Sequence, residues 1–350
     1  MLQERIEGKW LDTFEDVLRH CGLQPGDTVA ILSETQSRPV NVQLTELALH
    51  RIGTKAFHVV MPTPAQQGPA PIRSTGASNA LGGLAPVVAA LAATTMVVDL
   101  TVEGLMHAPE LPAILKGGTR VLYVSNEHPE LLERVGVDES LEPRVKDAVK
   151  RMRSAKAMHV SSPAGTDLRI GLEGARVGGI WGWTARPGTL AHWPGGLVLG
   201  FPAAGSVNGT LVLAPGDANL TFKRYVQSPI RLSIVDDYIT AIEGEGLDAE
   251  LMRSYIAAWA APGSNDRAAY AVSHVGWGLN PGARWDALEF YDKRDCNGTE
   301  LRAFAGNFLY STGANEVAGR YTLGHFDLPL RNCTVMLDGQ AVVEAGQLVE

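Results

Sequence analysis

The sequence is poor in cysteine, which limits the covalent chemistry that it supports. Its 350 residues include only Cys21, Cys296 and Cys333, at wide spacings and without a CxxC pair. A disulfide framework or a zinc ribbon needs closely spaced pairs, so neither is predicted. Cys296 lies in a charged segment without a histidine nearby in sequence, and we do not expect it to be a nucleophile. Reduced thiols in the cytoplasm are the simplest interpretation.

The sequence also lacks a basic excess and an unbroken apolar segment. Its 30 Lys and Arg against 38 Asp and Glu give a net charge of −8, whereas a sequence-independent nucleic-acid binder needs a basic face. The uncharged stretch 81–98 approaches the length of a membrane span. It contains Gly82, Gly83 and Pro86 and ends in β-branched residues, so we predict a buried helix followed by a buried strand. No apolar signal segment begins the chain, and we expect neither nucleic acid nor membrane as a partner.

Length and periodicity predict an α/β protein of two domains. A chain of 350 residues is long for a single core. In residues 1–157 strands alternate with helices, which indicates a parallel sheet covered on both faces, and no GxGxxG or Walker A motif follows a strand. The Pro/Gly/Ser-rich connection 62–83 is long for a compact domain. In residues 158–350 short strands and glycine-rich turns predict a mixed, largely antiparallel α+β domain with a strand over 269–275 and a helix over 301–308.

The tetrapeptide Gly324-His325-Phe326-Asp327 is the leading candidate for metal binding. Alternate side chains of a strand point to the same face, so His325 and Asp327 can converge. With His274 as a second imidazole they would form the facial triad of non-haem Fe(II) oxygenases. An isolated His-x-Asp is also a common chance pattern. His274 taken by itself is more typical of a half-buried histidine whose ring bonds to backbone than of a metal ligand.

His107 is a candidate general acid or base. The pattern predicts that it ends the third strand of the first domain, and ligands of open α/β sheets bind at the carboxyl ends of strands. A histidine has a pKa near neutrality, which suits proton transfer. A purely local role ahead of Pro109 is an equally good interpretation.

Further polar and aromatic residues suit a flat ligand. His192 follows a loop that contains Trp181 and Trp183, and such a cluster can stack on an aromatic ring and bond to it. The same residues would also suit an interface between domains or subunits. Asn307 and Ser311 can bond to a substrate or, alternatively, cap the end of a helix.

Long motifs around these residues resemble the 2,5-dihydroxypyridine 5,6-dioxygenase family. The similarity is concentrated in the runs 273–278, 302–313 and 325–333, extends to 192–194 and 209–213, and is weaker around 98–99 and 107–109. The resemblance implies Fe(II) held by His274, His325 and Asp327. It implies that a small aromatic N-heterocycle, 2,5-dihydroxypyridine, reacts with O₂ and opens to N-formylmaleamate.

The resemblance also implies roles for other residues and an assembly. His107 and His192 would lie near the substrate, and Ser311 would contact it. The relatives suggest a homo-oligomer. The loop at Trp181 and Trp183 departs from the acidic, tyrosine-rich loop of that family, so the preferred pyridine is left open.

The framework is also distantly similar to thermophilic-type metallo-aminopeptidases. Acidic metal ligands of that family are replaced here by Leu197, Asn208 and His274. A two-metal peptidase site needs both ions, so these replacements favour one iron. A metallo-aminopeptidase-type hydrolase and a non-catalytic binding protein remain the alternatives.

Overall fold

The computed structural model describes residues 5–65, 77–260 and 267–349. Residues 66–76 of the predicted long connection lie outside the described residues. The helices are α1 Gly8–His20, α2 Pro39–Ile52, α3 Ala85–Ala92, α4 Leu111–Lys116, α5 Pro129–Arg134, α6 Leu141–Ser154, α7 Leu247–Trp259 and α8 Thr299–Ala303. The strands are β1 Thr28–Glu34, β2 Lys55–Met61, β3 Met96–Asp99, β4 Arg120–Val124, β5 Ala157–Ser161, β6 Asp167–Gly171, β7 Arg176–Ile180, β8 Leu190–Trp193, β9 Leu197–Phe201, β10 Val207–Leu213, β11 Ala218–Asn219, β12 Arg224–Tyr225, β13 Ile230–Val235, β14 Tyr238–Glu243, β15 Val272–Gly278, β16 Phe308–Thr312, β17 Phe326–Leu330, β18 Thr334–Leu337, β19 Gln340–Glu344 and β20 Gln347–Leu348.

The first half of the chain forms a parallel sheet with the strand order β2-β1-β3-β4-β8. Alternate residues of β1 enter different cores: Val29 and Ile31 pack with α1 and α2, whereas Ala30 and Leu32 pack with α3 and α4. This alternation requires apolar residues on both faces, which accounts for the continuous apolar run of the strand. The predicted parallel sheet with helices on both faces is confirmed.

The second half contains two large antiparallel sheets that enclose one core, together with the two-stranded antiparallel sheet β11-β12. One has the order β14-β13-β10-β6-β5-β18-β19-β20, and the other has the order β17-β16-β15-β9-β7. The core includes the large side chains of Tyr255, Trp277, Phe308, Tyr310 and Phe326. The predicted largely antiparallel arrangement is confirmed. The second of these sheets, which we call the β15 sheet, carries the candidate metal ligands.

Strand β8 connects the two halves. It comes from the second half of the sequence but pairs in parallel with β4, so that His192 lies opposite Tyr123. The chain then passes through Pro194 and enters β9 of the β15 sheet. The domain boundary near residue 157 stays a prediction, and the first sheet takes one strand from beyond it.

Three local predictions need correction. Helix α8 is shorter than the predicted helix over 301–308, because Gly306 has a φ of 84° and the following aromatic run joins the β15 sheet as β16. The strand predicted over 269–275 begins at Val272, after the 3₁₀ turn Ala268–Tyr270, and continues to Gly278.

His107 does not end the third strand. Strand β3 ends at Asp99, whose carboxylate accepts hydrogen bonds from the Thr101 backbone N–H and hydroxyl and from the Leu105 N–H. These bonds close a turn after the strand, so His107 lies on the connection to α4.

Among the described residues, no helix has the length and apolar content needed to span a bilayer.

Candidate metal centre

Three adjacent segments bring His274, His325 and Asp327 together at the β15 sheet. His274 lies in β15 where the pairing with β16 shifts register, between Val272 and Val275. Such an irregularity redirects a side chain relative to a regular strand. His325 immediately precedes β17, and Asp327 lies within it. One ligand atom from each of the three side chains lies within 4.8 Å of the others.

The distances within the triad suit a shared cation. The Nε2 atom of His325 lies 3.2 Å from Oδ1 of Asp327, and Nε2 of His274 lies 3.9 Å from the same oxygen. The two imidazole rings are 5.5 Å apart between centroids. Two imidazoles and one carboxylate on one side of a site are the donor set of mononuclear non-haem iron. The fold therefore brings together the three residues that the sequence analysis predicted as metal ligands.

A positive charge and a hydroxyl hold the Asp327 carboxylate in place. Arg302 directs Nε and Nη2 to Oδ2, each at 2.6 Å, and the Ser311 hydroxyl donates to Oδ1. Burial alone would raise the pKa of Asp327, but the Arg302 guanidinium and the imidazoles of His325 and His274 hold that pKa well below its usual range. The carboxylate is therefore ionised and ready to bind a cation.

His274 is the more enclosed of the two histidines in the triad. Its side chain is 7% exposed, against 12% for His325, and its ring lies edge-on to Phe201 at 5.4 Å. Burial lowers the pKa of His274 to about 3, so the ring is neutral at pH 7, as a metal ligand must be. Its Nδ1 atom is buried without a hydrogen-bond partner among the described residues. Binding a cation through Nε2 would help to offset the cost of this burial, and the site fits a metal ion.

His107 and His192 have different relations to the triad. The His107 ring lies 6.1 Å from that of His325, and burial lowers the pKa of His107 to about 4. His192 is buried at the end of the first sheet, and its Nδ1 lies 2.5 Å from the carbonyl oxygen of Pro194. A carbonyl only accepts, so Nδ1 carries the proton and Nε2 has the free lone pair. Nε2 is therefore the ring nitrogen of His192 that can accept a proton.

Comparison with known proteins shows the family of the chain. The family model described as 2,5-dihydroxypyridine 5,6-dioxygenase (NicX) matches residues 9–350. The 2,5-dihydroxypyridine 5,6-dioxygenase of Pseudomonas putida KT2440 is 39% identical over 341 residues, which cover 96% of this chain and 95% of that protein. The chain belongs to the 2,5-dihydroxypyridine 5,6-dioxygenase family. The family predicted from the sequence motifs is thereby confirmed.

Solved structures agree with this dioxygenase family and with the predicted framework. A 2,5-dihydroxypyridine dioxygenase from Pseudomonas putida KT2440 superposes with a TM-score of 0.88 at 37% identity, over 97% of this chain and 96% of that one. The aminopeptidase AmpT from Thermus thermophilus superposes with a TM-score of 0.63 at 15% identity, over 98% of this chain and 99% of that one. The second likeness concerns the fold alone, and it confirms the aminopeptidase-like framework of this dioxygenase.

The other predicted residues of the dioxygenase site lie apart from the triad or support it. Asn307 donates to the carbonyls of Leu301 and Arg302 and accepts from the Gly278 N–H, so it fastens α8 to the end of β15. Trp181 and Trp183 line a cleft of about 870 Å³ beside α6 and β7. The triad residues are not among those that line this cleft.

Sequence reasoning did not single out Arg302, which contacts the carboxylate of the candidate ligand Asp327. It occurs within one of the recognised motifs, but arginine is not a metal ligand and its partner is 25 positions away. A carboxylate ligand buried on a strand needs a cation or several donors nearby, and that requirement was the available signal. Only the tertiary structure shows which arginine meets it.

Proposed function

We propose that this protein is an Fe(II)-dependent dioxygenase that opens the ring of 2,5-dihydroxypyridine between C5 and C6. Both atoms of O₂ enter the product, N-formylmaleamate. The observation that carries the proposal is the convergence of His274, His325 and Asp327 in a chain of this family. Fe(II) held by these residues would supply open coordination positions and redox chemistry for the reaction of O₂ with an electron-rich ring.

We assign proton transfer to His107 and His192, the two predicted site histidines that are not metal ligands. In our proposal, Nε2 of His192 accepts the proton of a ring hydroxyl, because Nδ1 is already committed to the Pro194 carbonyl. The proton that His192 takes up would return to the product as the ring opens, and His107, next to His325, would relay it. Both rings are neutral at pH 7 because burial lowers their pKa values to about 4.

Binding and orientation of the ring involve the remaining predicted residues. The Ser311 hydroxyl donates to Asp327 and retains lone pairs that can accept a hydrogen bond from the substrate. Asn307 would act indirectly, since it fixes the backbone of Arg302. Trp181 and Trp183 would influence the choice of ring through the loop that leads to His192. Stacking of Trp181 or Trp183 on the ring stays a prediction.

Metal content and oxygen consumption together test the function. The wild-type protein should bind one Fe(II) and take up one O₂ for each 2,5-dihydroxypyridine consumed. His325→Ala should lose iron and reduce oxygen uptake by at least about 100-fold, because an interaction with a reacting metal contributes several kcal/mol. His159→Ala is the matched control, since His159 pairs with Asp167 on the surface, outside the triad. Full activity of His325→Ala without iron would overturn the proposal.

The same assay separates the alternatives. Peptide hydrolysis in anaerobic buffer with Zn²⁺ or Mn²⁺ would support an aminopeptidase-type hydrolase. A wild-type protein without metal would support a binding protein. Iron with no uptake on 2,5-dihydroxypyridine would indicate a different hydroxylated pyridine.

We further propose that the protein works in the cytoplasm as a homo-oligomer. The free thiols of Cys21, Cys296 and Cys333 are all buried, which suits a reducing compartment. Helix α3 has no charged residue, and of its side chains only Leu91 is fully buried, so it leaves an apolar surface for a second copy. A mass in solution equal to 37.4 kDa, measured by light scattering, would contradict the oligomer.

A further inference from the structure

The two oxygens of the Asp327 carboxylate contact different groups. Oδ1 faces Nε2 of His325 and of His274 and accepts the Ser311 hydroxyl. Oδ2 accepts hydrogen bonds from Nε and Nη2 of Arg302, each at 2.6 Å. The carboxylate is 3% exposed, so neither oxygen exchanges freely with water. One oxygen therefore lies on the side of the metal ligands, and the other is saturated by arginine.

We propose that Arg302 is a positioning residue that keeps Asp327 a one-oxygen ligand. This inference rests on the metal site of the proposed function. A carboxylate can bind a cation through one oxygen or through both. A second oxygen would occupy a coordination position that substrate or O₂ needs, because the facial triad is useful through the positions it leaves open. By binding Oδ2, Arg302 keeps that coordination position open for substrate or O₂.

The backbone of Arg302 is held firmly enough for this role. It lies in α8, where the Asn307 amide donates to its carbonyl, and its side chain is 13% exposed. Glu300, two positions earlier in the same helix, is buried and paired with Arg134. Helix α8 also packs against β15 and β17, the strands that carry His274 and Asp327. The guanidinium is thus aligned with the carboxylate before any metal binds.

The charge of Arg302 predicts opposite effects of its removal on metal affinity and on activity. A guanidinium beside the ligand carboxylate repels a divalent cation, so Arg302 weakens metal binding while it preserves open positions. Its removal should therefore tighten metal binding and lower activity. A residue that only supports the fold would, when removed, weaken both.

The test compares Arg302→Met with Arg302→Lys in Co²⁺-loaded and Fe²⁺-loaded protein. The dissociation constant of Co²⁺, measured by competition with a chromophoric chelator, should fall at least about tenfold in Arg302→Met, as expected for losing one nearby positive charge. Arg302→Lys keeps the charge and should bind Co²⁺ about as the wild type does. A crystal structure of Co²⁺-loaded Arg302→Met should show both oxygens of Asp327 on the metal. Oxygen uptake by the Fe²⁺ form should fall.

The matched control is Arg224→Met, which removes an arginine paired with the buried Asp248 outside the triad. It should lower stability without changing the Co²⁺ dissociation constant. Weaker Co²⁺ binding in folded Arg302→Met, or one-oxygen binding by Asp327 in that variant, would overturn the proposal. The measurements of metal binding need no substrate. A wild-type protein that binds Co²⁺, but whose Fe²⁺ form does not oxidise 2,5-dihydroxypyridine, would therefore contradict only the proposed substrate. A wild type that binds no divalent cation would overturn both.

Discussion

At the scale of single residues, burial determines the protonation of the site more than sequence neighbours do. His192 carries no adjacent acidic residue in the sequence, and it is buried at the end of the first sheet. Burial lowers its pKa to about 4, although the hydrogen bond to the Pro194 carbonyl opposes this shift. The neutral ring is therefore favoured in the folded state, whereas an exposed histidine takes up a proton near pH 6.5.

This difference predicts how stability depends on pH. Because the folded pKa of His192 lies below the unfolded one, the unfolded state binds the proton first as the pH falls. The resulting loss of stability begins near pH 6.5, reaches about 2 kcal/mol at pH 5 and is complete below about pH 4. Urea unfolding of wild type and His192→Asn at pH 7 and pH 5 should show that the variant loses less by about this amount. Equal losses in the two proteins would mean that His192 is not neutral through burial.

Arg302 is the residue whose contact with the candidate metal site was least visible in the sequence. Its partner Asp327 lies on a different element, and the ion pair forms only when α8 packs beside β17. The residue types of the triad could be predicted because imidazoles and a carboxylate are the donors that iron prefers. The orientation of the carboxylate could not, since it depends on a long-range contact.

At the scale of elements, the position of β15 depends on close approach to β9. Gly276 lies opposite Leu199, and a Cβ atom there would meet the Val198 carbonyl oxygen at 1.9 Å. No side chain fits without moving the strand that carries His274. Gly276 therefore helps to place the strand that carries the candidate ligand His274, although it contacts no ligand itself.

Substitution of this glycine should damage the fold and the metal site together. Gly276→Ala should destabilise the protein by about 1–3 kcal/mol, a usual cost of overpacking, and weaken Co²⁺ binding by displacing His274. Gly178→Ala is the control: Gly178 lies opposite Leu199 on the other side of β9, and a Cβ atom there would meet nothing within 4 Å. Urea unfolding and Co²⁺ titration measure the two effects. Similar behaviour of both variants would argue against this packing constraint.

At the scale of the whole molecule, β8 makes the two halves depend on each other. It completes the first sheet, and Trp193 packs its ring edge-on to Phe14 at 5.0 Å and donates to the Val135 carbonyl. The next strand, β9, belongs to the β15 sheet. The core of the first half therefore includes a strand, β8, that follows the predicted boundary at residue 157 in the sequence.

A fragment of residues 1–157 should accordingly fail to fold by itself. It would expose the edge of β4 and lose Trp193, and loss of a buried tryptophan alone costs about 3–5 kcal/mol. Circular dichroism of the fragment should show no cooperative thermal transition. The full chain should unfold in one transition that far-UV and tryptophan signals report at the same temperature. A fragment with its own sharp transition would support two independent domains.

The sequence by itself determined the class of the fold, the family and the residue types of the metal site. Periodicity in β1 and in the helices is a local property, and the motifs around His274 and His325 are contiguous, so both can be read without coordinates. The tertiary structure decided the membership of β8 in the first sheet, the loop position of His107, and the sharing of the Asp327 carboxylate between metal ligands and Arg302. These features depend on packing between elements distant in sequence, and short-range patterns do not encode which partners meet there.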